Sequence, residues 1–366
     1  MTEVIGKNFK AASKTPEFLI KPRHMLETTK TPQFKEWLRE RHQTNLGRVF
    51  FDIVLIYSII AGAIYFSISV DTWWAYLLSV FVIGSRLHAL GVLVHEGTHY
   101  TLSKNKYVND LVSDLFCAFP IFISTRGFRA FHLPHHRHTR TELDPELIAA
   151  RQDPNYMWPK SPLKTYSMLI LDITGLNFHA LLGIMFIWSD ALGLLRIPKT
   201  KWIKLKTNEA MAEFLDRTDP KFKLSIGLKL RIVLFYGLLA TALTYFGIWK
   251  YYLLYWIVPA FSVLAFIIRI RGMTEHNGLD FKTEISTSRT TLEKNPVLRH
   301  FLTPLAVNYH LEHHLYPQVP YFYLKELHSE LKKNPEYLTG GGISYSYLKN
   351  LQGLTVPGII MAKPDR

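Results

Sequence analysis

The chain has 366 residues, of which 48% are apolar, 14% aromatic and only 20% charged. Its single cysteine, Cys117, excludes a disulfide framework, a cysteine-based zinc site and an iron–sulfur cluster built by this chain alone. The net charge of +14 fits a positive cytoplasmic face on an anionic bilayer, and it also fits a docking surface for an acidic electron carrier. No soluble basic module is visible, so nucleic-acid binding is not expected.

The first 45 residues are polar, and FKEWLRERH at Phe34–His42 has the pattern of a short amphipathic helix at a membrane surface. Four apolar segments follow, each with about the 20 residues needed to cross the hydrocarbon core. They are Arg48–Val70, Trp73–Val94, Leu228–Trp249 and Tyr251–Ile270. The short links within the first pair and within the second pair predict two transmembrane hairpins.

These segments predict an all-α membrane protein in three parts. The parts are an N-terminal cytoplasmic arm over residues 1–45, a membrane domain with four transmembrane helices over residues 46–276, and a cytoplasmic helical cap over residues 277–366. Two further apolar stretches raise the question of whether the chain crosses the bilayer more than four times. Leu111–Ser124 is too short to cross a bilayer. Tyr166–Trp188 is long enough but contains Asp172, Asn177 and His179, so we expect an interfacial or partly buried helix.

Nine histidines stand at metal-ligand spacing near the ends of these segments. Positions i, i+3 and i+4 of a helix share one face, so each cluster can direct its imidazoles at one place. The clusters are HEGTH with His95 and His99, HLPHH with His132, His135 and His136, HLEHH with His310, His313 and His314, and RGMTEHN with His276. We therefore expect the cytoplasmic helical cap to hold a histidine-rich dimetal site.

Counting ligands favours two metal ions over one. Structural zinc uses four ligands and catalytic zinc uses three plus a water, so nine histidines overfill either site. HEGTH also matches the H-E-x-x-H pattern of zinc proteases, with Glu96 as general base, but that motif leaves the other histidines unexplained. A metal transporter is a further alternative, although it would place histidines within the spans. His24, His42, His300 and His328 are expected to be ordinary histidines, and His88, His138 and His179 to be core or channel residues rather than ligands.

HEGTH, HLPHH and NYHLEHHLYP resemble the three histidine boxes of the membrane fatty acid desaturase superfamily. HEGTHYTLSKNKYVNDLVSDL and HHRHTRTELDPE resemble the stretches around its first and second boxes, and the resemblance spans roughly Gly84–Glu330. It implies a diiron centre without haem, four membrane spans and O2-dependent attack on an unactivated C–H bond. His276 matches the isolated histidine ligand of that family. One departure is Pro134 inside the second box, which weakens the helical argument for His132.

Several polar residues beside the clusters are candidates to act on the ligands or the reaction. Metal-bound imidazoles usually donate their other N–H group to a carboxylate or carbonyl, and Glu96, Asp144, Glu275 and Glu312 are placed to accept it. Asn308 is a candidate to hold a water molecule. Glu96, Glu312 and Asn308 are our candidate catalytic residues.

The expected reaction is O2-dependent oxidation of a lipid or fatty acid at two iron ions, with fatty acyl desaturation as the first choice. Fatty acid hydroxylation, oxidative decarboxylation to a terminal alkene and carotenoid oxidation remain alternatives, because the histidine boxes do not separate them. The substrate tunnel should be apolar, with Arg126 and Arg129 as candidates to hold a carboxylate or headgroup at its mouth. No haem or flavin motif is visible, so electrons should come from a ferredoxin, a rubredoxin or a cytochrome b5-type donor.

Overall fold

The computed structural model describes residues 31–141, 143–147, 158–177 and 225–355, and this part of the chain is mostly helical. In chain order the helices are α1 Pro32–Arg41, α2 Leu46–Val70, α3 Trp73–Thr98, α4 Lys106–Ser113, α5 Thr125–His138, α6 Pro162–Ile173, α7 Ile226–Tyr245, α8 Trp249–His276, α9 Pro296–Leu302, α10 His310–Leu315, α11 Leu324–Leu331, α12 Pro335–Gly340 and α13 Tyr347–Gly353. The predictions for His24, for His179 and for the end of the Tyr166–Trp188 stretch lie outside the described residues.

Four of these helices are long and apolar enough to cross a membrane: α2, α3, α7 and α8. The four predicted apolar segments are thereby confirmed as helices. With 26 and 28 residues, α3 and α8 are about 39 and 42 Å long at 1.5 Å per residue. Both exceed the hydrocarbon core of about 30 Å. One end of each helix can therefore extend beyond the membrane, and His95 and His276 lie at the C-terminal ends.

The stretch predicted to be too short to cross forms a sharp bend. The segments Lys106–Ile121 and Thr125–His138 meet at an angle of 94°, with Phe122 in the left-handed region at the corner. Both sides of the bend contact the end of α3, because the side chains of Asn109 and Arg129 donate to the carbonyl of Gly97 over 2.8 and 2.7 Å. The chain therefore enters and leaves this bend on the same side of the bundle.

The core is built around α3, whose second half is almost completely buried. A Cβ atom on Gly84 would lie only 2.4 Å from Cβ of Val263, so this glycine lets α3 and α8 approach closely. Helix α6 is joined to α8 by an ion pair, in which the carboxylate of Asp172 contacts the guanidinium of Arg269. The described part of the stretch predicted to lie at the interface is thus tied to the bundle by a buried ion pair.

The C-terminal part corrects the prediction of an all-α protein. Strands β1 Arg289–Thr291 and β2 Gly342–Ser344 pair in parallel, with Arg289 opposite Gly342. Three residues are too few to show the alternating pattern by which a strand is recognised in a sequence. A Cβ atom at position 342 would lie 2.3 Å from the carbonyl oxygen of Ser288, so only glycine permits this pairing. Helix α10, with the third histidine cluster, packs against β1.

Candidate metal centre

The first cluster lies at the end of α3, where His95 and His99 are one turn apart. This end is tightly held, because a Cβ atom on Gly97 would come within 2.4 Å of Ser113 Oγ. Arg129 donates from Nε to the carbonyl of Thr98 over 3.0 Å and forms a 2.5 Å ion pair with Asp110. A cation at the carboxyl end of a helix satisfies free carbonyl groups and stabilises the dipole. These contacts do not support the predicted headgroup role of Arg129.

The second cluster lies on α5, whose N-terminus is capped by Ser124: the side chain of Ser124 accepts from the N–H of Gly127. Helix α5 continues through Pro134 to His138, so the proline does not separate His132 from the rest of the cluster. The ring centroid of His132 lies 4.4 Å from that of His95. The helical spacing argument therefore holds for this position as well.

The third cluster fills α10, a short helix of six residues. His310, His313 and His314 are all buried there, and each of the three faces histidines from other elements. His276, the last residue of α8, lies between this cluster and the second one. Its Nε2 is 2.8 Å from Nε2 of His310 and 3.2 Å from Nε2 of His135.

All nine predicted histidines meet in two adjacent groups. In one group of five histidines, each side chain offers a nitrogen that lies within 4.8 Å of the nitrogens of the other four. A second group of three histidines has the same property. His310 joins the second group through its 2.8 Å contact with His276. The first group, which we call site one, contains His95, His99, His132, His136 and His313. The second group, called site two, contains His135, His276, His310 and His314.

The spacing of the nitrogens fits metal binding. Two nitrogens bound about 2.1 Å from one ion, at angles of 90–110°, lie about 3.0–3.4 Å apart. Within site one, Nε2 of His313 is 3.1 Å from Nε2 of His136. Buried nitrogens of His99, His132 and His314 also have no hydrogen-bond partner among the described residues. An ion in each group would satisfy these nitrogens, so the residues present fit two metal ions.

Burial keeps most of these imidazoles neutral, as metal binding requires. Desolvation lowers the pKa of His99 to about 3. It also lowers the pKa of His132, His136 and His313 well below the usual value. His135 is different: burial lowers its pKa, but the nearby carboxylates of Glu146 and Asp144 outweigh that effect and raise it.

Three of the predicted carboxylates lie beside ligands. Asp144 Oδ1 is 2.9 Å from His135 Nδ1. Glu275 Oε2 is 3.7 Å from His310 Nε2, and Glu96 Oε1 is 3.7 Å from His95 Nδ1. Both glutamates are buried and have further partners, since Arg271 pairs with Glu275 over 2.6 Å and Thr101 donates to Glu96 over 2.7 Å.

Glu312 has a different set of partners. This fully buried carboxylate accepts from Thr290 and Tyr337 and contacts Nδ1 of His328. On α10 it points away from the metal groups, because position 312 lies roughly opposite positions 310, 313 and 314 at 100° per residue. His328 was expected to be an ordinary histidine, and no spacing in the sequence links it to the third cluster.

Two further residues named in the sequence analysis, Asn308 and His88, lie outside the two metal groups. The carbonyl of Asn308 accepts from the N–H of Thr291 over 3.1 Å, which ties the approach to α10 to strand β1. His88 is buried as expected, with Nε2 2.9 Å from the guanidinium of Arg271. Through Arg271 and Glu275, this core histidine is linked to site two.

A cavity lies against both metal groups. Its wall includes His95 and His313 from site one and His310 from site two. The remaining lining is mostly apolar, formed by Val92, Leu305, Val307 and Leu324 with Glu96 and Tyr321. The cavity volume is about 10 Å³, about enough for one water molecule, so an apolar chain beside the histidines would require these walls to move apart.

Comparison with known proteins identifies the family. The sequence profile described as fatty acid desaturase matches residues 71–347, about three quarters of the chain. The chain belongs to the fatty acid desaturase family. This assignment confirms the resemblance seen in the histidine boxes. It also identifies the protein as an oxidoreductase. It leaves the zinc-protease and transporter alternatives without support.

Similarity to individual desaturases extends over most of the chain. The enzyme is 28% identical over 324 residues to a dihydrorhizobitoxine desaturase of Bradyrhizobium elkanii, covering 85% of this chain and 82% of the relative. It is 21% identical over 343 residues to an sn-1 oleoyl-lipid 12-desaturase of Anabaena variabilis, covering 91% and 88%. A shorter match, 33% identical over 90 residues, covers 25% of this chain and 24% of an sn-1 acyl-lipid omega-3 desaturase (ferredoxin) of Nostoc sp. (strain 36).

Proposed function

We propose that this enzyme desaturates an acyl chain with O2 at two iron ions held by site one and site two. The observation that carries the proposal is the convergence of nine histidines against an apolar cavity. Imidazole nitrogen suits iron, and membership in the desaturase family favours iron over zinc or copper. When bound, the iron ions supply the activation of O2 that an unactivated C–H bond requires.

The cavity places the substrate. Val92, Leu305 and Val307 present an apolar surface beside His95 and His313, and in this proposal the surface opens to admit a methylene pair of the chain. An acyl chain against Val92, Leu305, Val307 and Leu324 would displace water from the side of the site opposite its polar groups. An acyl chain is therefore the substrate class that we assign to the cavity.

The candidate catalytic residues receive distinct roles in the proposal. Glu96 lies in the cavity wall, where Oε2 accepts from Thr101 and from the N–H of Tyr321 while Oε1 faces His95 and is assigned to accept a proton. Glu312 positions α10 through its buried contacts. Asn308, two residues before His310, is assigned to hold a water molecule beside the site.

The reaction requires an external source of electrons. Conversion of –CH2–CH2– to –CH=CH– with O2 releases two water molecules and consumes two electrons and two protons. We propose a small acidic carrier as the donor, of the ferredoxin, rubredoxin or cytochrome b5 type. A ferredoxin is favoured by the name of the omega-3 relative, and the net charge of +14 suits an acidic partner.

We place the metal centre at the cytoplasmic face of a membrane. Apolar helices α2, α3, α7 and α8 supply the membrane part, and both α3 and α8 direct their histidine-bearing ends to the same side. The positive charge of the chain favours the cytoplasmic side for the parts outside the membrane.

The test is a lipid profile of cells that express the wild-type chain, its His313→Ala variant or its His300→Ala variant. His313 belongs to site one, whereas His300 is exposed on α9 and serves as the matched control. We expect new unsaturated acyl chains with the wild type and with His300→Ala, and none with His313→Ala.

Other products would redirect the assignment. Hydroxy acids or terminal alkenes that disappear in His313→Ala would keep the metal centre but replace desaturation by hydroxylation or decarboxylation. Unsaturated products that persist in His313→Ala would contradict the role of the histidine groups. Co-expression of a ferredoxin, a rubredoxin or a cytochrome b5, each with its reductase, excludes a missing donor of these types as the cause of a negative result.

A further inference from the structure

The nitrogens of site two that face away from the metal are supported by partners. His135 Nδ1 is 2.9 Å from Asp144 Oδ1, and His276 Nδ1 is 3.0 Å from the carbonyl of Thr287. His314 Nδ1 is 3.3 Å from the hydroxyl of Thr139. These contacts fix the orientation of three of the four rings and, in the case of Asp144, make the imidazole a stronger donor to a metal ion.

Asp144 is itself held in place. Its side chain is completely buried, Oδ2 accepts from the N–H of Arg140 over 2.7 Å, and Oδ1 accepts from the N–H of Glu146 over 2.9 Å. The carboxylate of Glu146 lies 3.7 Å from His135 Nδ1. Two carboxylates therefore lie on the outer side of one ligand of site two.

A third carboxylate lies on the inner side of the same site. Glu275 Oε2 is 3.7 Å from Nε2 of His310, the atom that faces His276. Arg271 holds the other oxygen of Glu275 over 2.7 Å, and His88 contacts the guanidinium of Arg271 over 2.9 Å. The carboxylate of Glu275 is thus held beside the nitrogen of His310 that faces His276, where it favours a bound cation, although Arg271 offsets part of its charge.

Site one lacks comparable support among the described residues. The Nδ1 atoms of His95, His136 and His313 are buried without a hydrogen-bond partner. Glu96 Oε1 lies 3.7 Å from His95 Nδ1, which is too far for a hydrogen bond, whereas Asp144 is 2.9 Å from His135 Nδ1 in site two. The two groups thus differ in the charge and the hydrogen bonds behind their ligands, although both are built from histidine.

We propose that the two metal positions are unequal, and that site two binds its ion first and more tightly because Asp144 and Glu275 support its ligands. This inference rests on the proposed dimetal function and adds an order of binding to it. Loss of one such supporting group typically weakens metal affinity by about 10–100-fold. The tight position would hold an ion while site one is still being filled.

The test is a titration of the metal-free, detergent-solubilised full chain with Co²⁺, whose visible absorption reports each histidine site as it fills. We expect two steps, each of one equivalent, with the first at least about 10-fold tighter. Ligand variants assign the steps. His314→Ala should remove the tight step and leave the weak one, and His99→Ala should do the reverse.

The supporting role is tested by Asp144→Asn and Glu275→Gln, with Glu96→Gln as the matched control beside site one. Both site-two variants should weaken the tight step by about 10–100-fold and leave the second step unchanged. The control should leave the tight step unchanged. Circular dichroism and gel filtration of each metal-free variant show whether it is folded, and the ligand variants assign the steps even where Asp144→Asn does not fold.

Three outcomes would overturn the inference: a single step of two equal equivalents, a tight step that survives in His314→Ala but not in His99→Ala, or equal weakening of both steps in Asp144→Asn. None of them touches the desaturase activity of the iron-loaded wild type. Failure of the folded wild type to bind any Co²⁺ or Fe²⁺ would instead overturn the proposed dimetal function itself.

Discussion

The Nε2 atoms of His135 and His276 lie 3.2 Å apart, although 141 residues separate them in the chain. His135 belongs to α5, the helix that follows the bend, and His276 is the last residue of α8. Because the two meet, the bend and the last long helix must deliver their ends to the same side of the bundle. The lone histidine therefore completes a group that no single cluster could form.

Replacement of His276 by alanine should remove site two. His276 contacts both His135 and His310, so its loss opens the middle of that group. We expect iron to fall from about two ions per chain to about one, and product formation to be lost, because the proposed reaction uses both ions. The measurement is iron content by mass spectrometry together with product analysis. His300→Ala, on exposed α9, should keep both values; full iron content in His276→Ala would contradict its role.

The buried contacts of Glu312 predict a second effect, on stability. Glu312→Ala would leave the Tyr337 and Thr290 hydroxyls and Nδ1 of His328 without their carboxylate partner. Each buried donor that loses its hydrogen-bond partner costs about 1–3 kcal/mol. We expect a clear fall in the melting temperature of the detergent-solubilised protein and a loss of iron, because α10 carries three ligands.

Glu330→Gln is the matched control for Glu312. Glu330 forms a 2.6 Å surface pair with Lys333, and exposed pairs of this kind contribute about 0–1 kcal/mol. Its melting temperature should therefore stay close to that of the wild type. Equal melting temperatures for Glu312→Ala and the control would show that the buried network does not hold α10.

The histidine set was predictable because its signal is local, whereas the division into two sites was not. Neighbouring residues on a helix point about 100° apart, so each His-His pair directs one ring to each ion. His135 and His136 are divided in this way, and so are His313 and His314. Which pair member joins which site depends on the rotation of α5 and α10 in the packed protein. No spacing within a single cluster contains that information.

The same reason explains what sequence reasoning missed. His328 and Tyr337 reach Glu312 from 16 and 25 residues away, through a fold that local patterns do not describe. The β1–β2 pair depends on a close approach at Gly342 rather than on strand-like composition. The apolar spans were predictable, because length and hydropathy alone decide whether a helix can cross a bilayer.

The cavity predicts an effect on substrate without an effect on metal. Val92 is buried on α3 and lines the cavity beside His95, so Val92→Phe would fill space that the chain needs. We expect KM to rise or long-chain products to fall by about 10-fold or more, with iron content unchanged. Val297→Phe on exposed α9 is the control, because Val297 is 59% exposed. Unchanged product amounts and chain lengths in Val92→Phe would show that the substrate binds elsewhere.

The free energy of unfolding of the metal-free protein should fall as the pH falls, because of its buried histidines. Burial lowers the pKa of six ligands outside the spans below the usual value of 6.5: His99, His132, His136, His310, His313 and His314. Below pH 6.5 the unfolded chain therefore binds protons that the folded chain does not. Each such histidine lowers the free energy of unfolding by about 1.4 kcal/mol per pH unit until the folded form is also protonated. His135, whose pKa is raised, acts in the opposite direction.

Thermal unfolding of the metal-free chain at pH 7.5, 6.5 and 5.5 measures this effect. We expect little change between pH 7.5 and 6.5 and a marked fall in melting temperature between pH 6.5 and 5.5. The double variant His99→Ala, His313→Ala removes two of the six depressed groups, so its melting temperature should fall less steeply over the same interval, whatever its starting value. An equal or steeper fall in the double variant would mean that other groups cause the acid sensitivity. Bound iron should shift the fall to lower pH, because the ion competes with protons for the same nitrogens.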